Sequence, residues 1–219
     1  VVDSHSTDAT EAISREFTDH IYQHDFHGFG QLRNEAVAHA THDWVLSLDT
    51  DEVATPEIKD EIRRLLAAGP TADAYFVPRK NYFLGRWIRH CGWYPDYRQP
   101  QLFRKNKLRY RDEVVHEGAE VDGTTGYLRE HVLQYPFQDL DHYLAKQDRY
   151  STLMAGRMVE AGRRFHALQL VTHPSFTFLK MYVLRAGFLD GMPGLILSGL
   201  YAYSTFIKYA KFWEETRSC

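Results

Sequence analysis

The stretch Trp44-Val45-Leu46-Ser47-Leu48-Asp49-Thr50-Asp51-Glu52 decides how this chain is read. Five mostly apolar residues have the composition of a buried parallel strand, and the run stops abruptly at Asp49, Asp51 and Glu52. Aspartate is a poor strand former, so acids directly behind such a run serve something other than the sheet. In open α/β sheets ligands bind at the carboxyl ends of strands, where these acids fall. Asp49 and Asp51 can hold one hard divalent cation through oxygen, and Mg²⁺ or Mn²⁺ shared with substrate phosphates is the usual partner of such a pair. A polar turn capping the next helix would account for the same letters. The flanking chain has to separate the two.

Upstream, Val1-Val2-Asp3-Ser4 reads as the last turn of a strand with its polar exit, which anticipates further chain before it. Asp3 then sits at a strand's carboxyl end, placed for a nucleotide base or ribose. Asp8-Ala9-Thr10-Glu11 has the form of a capping box, with Ala9, Ile13 and Phe17 on one helical face. Ile21-Tyr22 makes a second short strand, and residues 31–40 a helix with Leu32, Ala36 and Ala40 facing inward. Arg33 and Asn34 lie near that helix's start, where free N–H groups favour an anion, so Arg33 is a candidate phosphate contact. Downstream, Thr55-Pro56-Glu57-Ile58 starts a helix with Ile58, Ile62, Leu65 and Leu66 as its stripe, and Gly69-Pro70 stops it. Ala74-Tyr75-Phe76-Val77 is another strand. The order β-α-β-α-β-α-β predicts an α/β fold with a doubly wound, mostly parallel sheet.

After residue 78 the character changes. Residues 79–95 are basic and aromatic together and contain no acid. Residues 101–104 and 108–111 read as the strands of a hairpin leading to Val115-His116-Glu117. Interleaved Arg and aromatic side chains suit single-stranded nucleic acid or a sugar diphosphate. The chain's 219 residues carry a net charge of −3, which argues against nucleic acid. Two cysteines, Cys91 and Cys219, make no disulfide framework, and no apolar run reaches the ~18 residues that span a bilayer. Residues 139–162 read as a helix with Leu140, Tyr143, Leu144, Gln147, Tyr150 and Met154 on one side. From Pro174 to Trp213, Lys180, Arg185, Lys208 and Lys211 interrupt apolar blocks, and Gly187, Gly191 and Met192-Pro193-Gly194 break the stretch into two helices. Two readings stand side by side there: helices lying in a membrane interface, or a core-packing helical pair.

Val2-Asp3-Ser4-x-Ser6-Thr7-Asp8, Gly28-Phe29-Gly30-x-x-Arg33-Asn34 and residues 44–52 together resemble the nucleotide-sugar domain of family 2 glycosyltransferases, which have the GT-A fold. Phe83-Leu84-Gly85-Arg86-Trp87-Ile88, Gly92-Trp93-Tyr94-Pro95-Asp96, Leu102-Phe103-Arg104, Val115-His116-Glu117, Lys146-x-x-Arg149-Tyr150-Ser151 and Phe188-Leu189-Asp190-Gly191 resemble the branch that adds glucose to heptose in the lipopolysaccharide inner core. The resemblance implies a transferase domain over residues 1–135, lacking its first strand and helix, and a helical, membrane-associating region over 136–219. It implies that Asp3 contacts the nucleotide base, that Asp49 faces ribose and metal, and that Asp51 is the direct metal ligand. Arg33, Arg98 and Arg104 are the implied diphosphate contacts, and Glu117 the implied general base, with Asp96 as second choice. The implied partners are Mg²⁺ or Mn²⁺, a UDP-sugar and a lipid-linked saccharide acceptor. The implied location is the cytoplasmic face of the inner membrane. Two positions depart from the pattern: His5 stands where Gly is common, and Gln134 where His is expected.

The chemistry matches these residue types. Inverting transfer is a single displacement, in which one carboxylate accepts the hydroxyl proton while cations take up charge on the leaving diphosphate. Hydrolytic glycosidases instead need two carboxylates flanking the bond. Two other readings remain open at this level: a nucleotidyltransferase that makes the activated sugar, and a non-catalytic carbohydrate- or membrane-binding module of the same fold.

Overall fold

The computed structural model describes residues 1–111 and 118–217. The chain runs through β1 (Val2–Asp3), α1 (Thr10–Arg15), β2 (Tyr22–Gln23), α2 (Phe29–His39), β3 (Trp44–Leu46), β4 (Glu52–Ala54) and α3 (Pro56–Ala68). Eight short strands follow: β5 (Ala74–Phe76), β6 (Arg79–Phe83), β7 (Arg86–Trp87), β8 (Pro100–Arg104), β9 (Leu108–Tyr110), β10 (Ala119–Val121), β11 (Thr125–Tyr127) and β12 (Val132–Gln134). Three helices complete it: α4 (Leu140–Glu160), α5 (Gln169–Leu179) and α6 (Gly191–Arg217). Two compact units share the chain and interleave in sequence. The first comprises Val1–Asp49, Ala54–Pro78 and Tyr97–His131; the second takes Thr50–Val53, Arg79–Asp96 and the chain from Val132 onward.

In the first unit the sheet is mixed, and here the expectation of a mostly parallel, doubly wound sheet is corrected. A four-stranded sheet runs β11-β5-β8-β3, with β8 antiparallel to both β5 and β3, and β1 and β2 form a separate parallel pair. The anticipated 101–111 hairpin does not form either, because β9 pairs with β10 while β8 inserts between β3 and β5. Ala74, Phe103, Leu108 and Tyr110 form the buried cluster, with Val37 of α2 and Val45 of β3 against it. Asn34 fastens α2 to β9 like one rung of a ladder: its Nδ2 donates to Tyr110 O at 2.8 Å and its Oδ1 accepts from Tyr110 N at 2.9 Å. Helix α3 starts where Thr55 Oγ1 accepts from Ile58 N at 3.3 Å and ends at Gly69, whose φ of 85° suits a residue without Cβ. Burial of Ile58 and Ile62 contributes about 1.5–3 kcal/mol each. Helix α1 departs from expectation: Ile13 and Phe17 are exposed and the helix buries no residue. Asp8 closes a short turn onto Thr10 N rather than a reciprocal box.

In the second unit β12 pairs in parallel with β6, which pairs antiparallel with β7, and β4 lies on the outer side of β12. The period-two pattern of β6 buries Arg79, Asn81 and Phe83 on one face. Phe83, Ile88, Trp93, Tyr143, Met181 and Leu197 make one core cluster. Ala155, Met158, Tyr209 and Phe212 make a second, between α4 and α6. Asp139 caps α4 through His142 N at 2.7 Å. The buried stripe of α4 is Tyr143, Ser151, Ala155 and Met158, so the expected Leu140 and Leu144 point away from it. The expected break in the C-terminal stretch is a π-helical turn at Lys180–Leu184 followed by a 3-10 turn at Gly187–Asp190.

Candidate functional site

Asp49 lies three residues beyond β3, at its carboxyl end. Gln101 fixes this exit, accepting Ser47 N on its carbonyl at 2.8 Å and donating its side-chain amide to Ser47 O at 3.3 Å. From α2, Arg33 reaches Asp49 with Nη2 at 2.5 Å from Oδ1, and its guanidinium lies 5.4 Å from the centre of the Tyr110 ring. A carboxylate and a half-buried guanidinium are thus brought together at the strand end. Arg98 precedes β8, and the antiparallel β3–β8 register places the start of β8 at this same end. That register puts Arg104 opposite Trp44, five residues and roughly 16 Å of extended chain away from Asp49. There Arg104 lies over the Trp44 ring and pairs with Asp73 at 3.7 Å, so the structure does not bring it to Asp49.

Asp3 is buried at the end of β1, where its carboxylate ties the following loop by accepting from Ser6 N at 3.0 Å and Ser6 Oγ at 2.5 Å. These bonds hold the Asp3 carboxyl below the usual carboxylate range, the serine hydroxyl contributing most. His5, in the same loop, has φ 57°, a left-handed conformation that glycine adopts most readily.

In the second unit Asp51 lines a cavity of about 460 Å³ together with Thr50, Tyr135, Gln138, His142 and Lys146. Asp51 O accepts from Tyr135 N at 2.8 Å, which seats the carboxylate beside the end of β12. Gln134, where His was expected, donates Nε2 to both Asp51 oxygens at 3.3–3.4 Å. These are long, weak bonds that a cation could displace. Beside them runs a polar network that the sequence did not reveal. Arg79 Nε meets Glu52 Oε1 at 2.5 Å with side chains 3% and 0% exposed, and Arg79 Nη1 donates to Asp96 O at 3.0 Å. Asn81 Nδ2 donates to Asp96 Oδ2 at 3.0 Å and to Trp93 O at 2.9 Å. Asp96 takes φ 48°, so strand β6 fixes this candidate base in an unusual backbone conformation through two buried side chains. The signal available in the sequence was the alternation Arg79, Asn81, Phe83, which is that of a strand burying polar groups. The other candidate base, Glu117, lies outside the described residues.

Among the described residues no group of three or more His, Cys, Asp or Glu side chains is placed to hold a metal. Among those residues there is thus no all-protein cage; Mg²⁺ more often takes one or two carboxylates, with substrate phosphates and water completing the shell. Asp51, which lines its cavity in the second unit, is a single carboxylate of the type that such a shell uses.

Comparison with known proteins places this arrangement. The profile of glycosyl transferase family 2 matches residues 1–134, which span β1 to β12 and both acids of the Asp-x-Asp. The lipopolysaccharide core biosynthesis glycosyltransferase LpsC of Rhizobium meliloti (strain 1021) is 28% identical over 98% of this chain and 82% of its own. An uncharacterized glycosyltransferase of Rickettsia felis is 25% identical over 98% of this chain and 80% of its own. Among solved structures, S. aureus TarS 1-349 aligns with all of this chain and 81% of its own at 15% identity and a TM-score of 0.46. The family profile covers more than half of the sequence, and the chain belongs to glycosyl transferase family 2.

Proposed function

We propose that the protein is an inverting, metal-dependent hexosyltransferase that moves a sugar, taken here as glucose, from a UDP-sugar to a lipid-linked saccharide of lipopolysaccharide or a related envelope glycan. It would work peripherally at the cytoplasmic face of the inner membrane. The observation that carries the reading is the Asp49-Thr50-Asp51 segment at the carboxyl end of β3 within a family 2 match, with Arg33 on Asp49. The likeness to LpsC supports the choice of acceptor class.

In this reading Asp3 and Arg33 hold the nucleotide and its phosphates, with Arg98 at the same strand end. Asp51 and Asp49 would hold Mg²⁺ or Mn²⁺, which would supply positive charge against the leaving diphosphate. The acceptor hydroxyl attacks the anomeric carbon, the bond to the diphosphate oxygen breaks with its electron pair, and the hydroxyl proton passes to a carboxylate. Glu117 takes that proton by family resemblance. Asp96 is the second choice, supported by its support from Asn81 and Arg79.

Calorimetric titration of UDP with Mn²⁺, Mg²⁺ or EDTA tests the donor half of the reading. UDP binding should need the cation and should vanish in Asp51→Asn. A folded protein that binds no UDP with either ion would return the non-catalytic module to the front.

A further inference from the structure

The C-terminal helices do not expose their apolar residues evenly. Much of α6 packs as a core helix, with Leu197, Tyr209 and Phe212 buried. Exposed apolar side chains run along α5 at Leu168, Val171, Phe176 and Leu179 and continue where α5 turns into α6: Val183 is 49% exposed, Leu184 66%, Phe188 51%, Leu189 55% and Met192 65%. Five large apolar side chains are thus exposed within ten residues, a density that soluble surfaces avoid. No single helix among the described residues is long and apolar enough to cross a membrane, and the segments either side of this bend meet at 70°. The feature is a tip.

The tip is fixed from beneath. Asp190 is 2% exposed, and its carboxylate accepts Arg89 N at 3.1 Å and His90 N at 2.9 Å. Cys91 N donates to Arg185 O at 3.0 Å. Gly194 sits so close that a Cβ there would lie 2.1 Å from Gly187 O. The apolar side chains are therefore held outward on a preset backbone, so little ordering cost remains when they bind something.

Charge identifies what they bind. Between residues 161 and 213 the only carboxylate is the buried Asp190, against six Lys and Arg residues. Lys180 and Arg185 flank the tip, and both are exposed. Arg86, which donates to Leu189 O at 3.4 Å, and Arg89 add two exposed cations from the acid-free 79–95 segment. A second copy docked here through a two-fold axis would bring these cations onto one another. An anionic bilayer surface accepts both halves of the pattern, apolar side chains into the acyl boundary and cations at the headgroups.

We propose that the tip formed by Leu184, Phe188, Leu189 and Met192, ringed by Lys180, Arg185, Arg86 and Arg89, inserts shallowly into a bilayer surface carrying anionic phospholipid headgroups. This rests on the lipid-linked-acceptor reading above for its purpose, but its test requires no catalysis. Flotation with phosphatidylcholine vesicles, with and without phosphatidylglycerol, is compared for the unaltered protein, Leu184→Ser/Phe188→Ser and Lys180→Glu/Arg89→Glu. All four positions are exposed, and matched thermal melts confirm the fold.

The unaltered protein should float with the anionic vesicles. The apolar pair should lose roughly tenfold in partitioning per side chain. The charge pair should lose binding that added salt also weakens in the parent. In Phe188→Trp the indole emission should shift blue with anionic vesicles. Failure of the unaltered protein to float, or equal flotation by the apolar pair, overturns the proposal. So does lipid-free self-association that the apolar pair abolishes, which would assign the tip to a second copy. UDP titration of the same variants separates the two readings. Retained UDP binding with no flotation removes only the membrane tip, whereas flotation without UDP binding by any form removes the donor assignment.

Discussion

Replacing Arg79 by Met removes one side of an ion pair that has almost no contact with water. Its Nε lies 2.5 Å from Glu52 Oε1, with the two side chains 3% and 0% exposed. A pair at the surface would contribute about 0–1 kcal/mol, but this one is sealed, and the two cases differ in kind. Both charges were desolvated on folding, and removing one leaves the other buried without its counter-charge, at a cost of about 3–5 kcal/mol. Arg79→Met also strips the donor from Asp96 O. For a chain of 219 residues that loss corresponds to a fall in Tm of roughly 6–20 °C. The sharper test is the cycle completed by Glu52→Met and the double variant. Removing both charges should cost less than the sum of the single changes, because no uncompensated ion remains. Urea unfolding of the four proteins supplies the numbers, with m-values compared to show that the unfolded states match. A single variant within 1 kcal/mol of the parent, or strict additivity in the double, would refute the argument that a sealed pair organises this region.

Other perturbations have equally definite outcomes. Asp3 has a carboxyl lowered below its ordinary 3.8, chiefly by the Ser6 hydroxyl and then by the Ser6 backbone N–H. Its contribution is therefore complete above that pH and is lost as pH falls through the lowered value, so Asp3→Asn should flatten the acid limb of stability measured by urea midpoints. Gly194→Ala should destabilise by about 1–3 kcal/mol, since its Cβ would collide with Gly187 O, and calorimetry should show it where Gly199→Ala, with open space, does not. Thr55→Ala removes the cap on Ile58 N together with the Thr55 Oγ1 bond to His131 O, at a cost of about 1–2 kcal/mol in chemical denaturation.

The parts of this structure legible in the sequence are those written locally. The Asp49-Thr50-Asp51 exit follows from an apolar run ending in acids, and α3 from Thr55-Pro56 with Gly69 behind it. The break before α6 is likewise written in Gly187, Gly191 and Pro193. What depends on distant partners was hidden. Nothing within residues 100–104 encodes that β8 runs antiparallel between β3 and β5, because strand direction is set by the connection rather than by the pleat. Arg79 reads as one cation in a basic segment until Glu52, 27 positions earlier, is found against it. Helix α1 shows the opposite error: a plausible apolar face at Ile13 and Phe17 that is left exposed among the described residues. For the C-terminal stretch, composition offered a membrane face or a core pair. Tyr209 and Phe212 are buried in a helical core, while Leu184, Phe188, Leu189 and Met192 are exposed at the bend.

The most direct test of the account is UDP release, followed with UDP-glucose, a heptose-containing lipid acceptor and Mn²⁺ or EDTA, on the unaltered protein, Asp51→Asn, Glu117→Gln and Asp96→Asn. The account predicts release that requires both acceptor and cation and that collapses in Asp51→Asn. It further predicts collapse in Glu117→Gln, with Asp96→Asn as the arm that would receive the role if Glu117→Gln stays active. Acceptor-independent release, or none with any UDP-sugar from a folded protein, would contradict it.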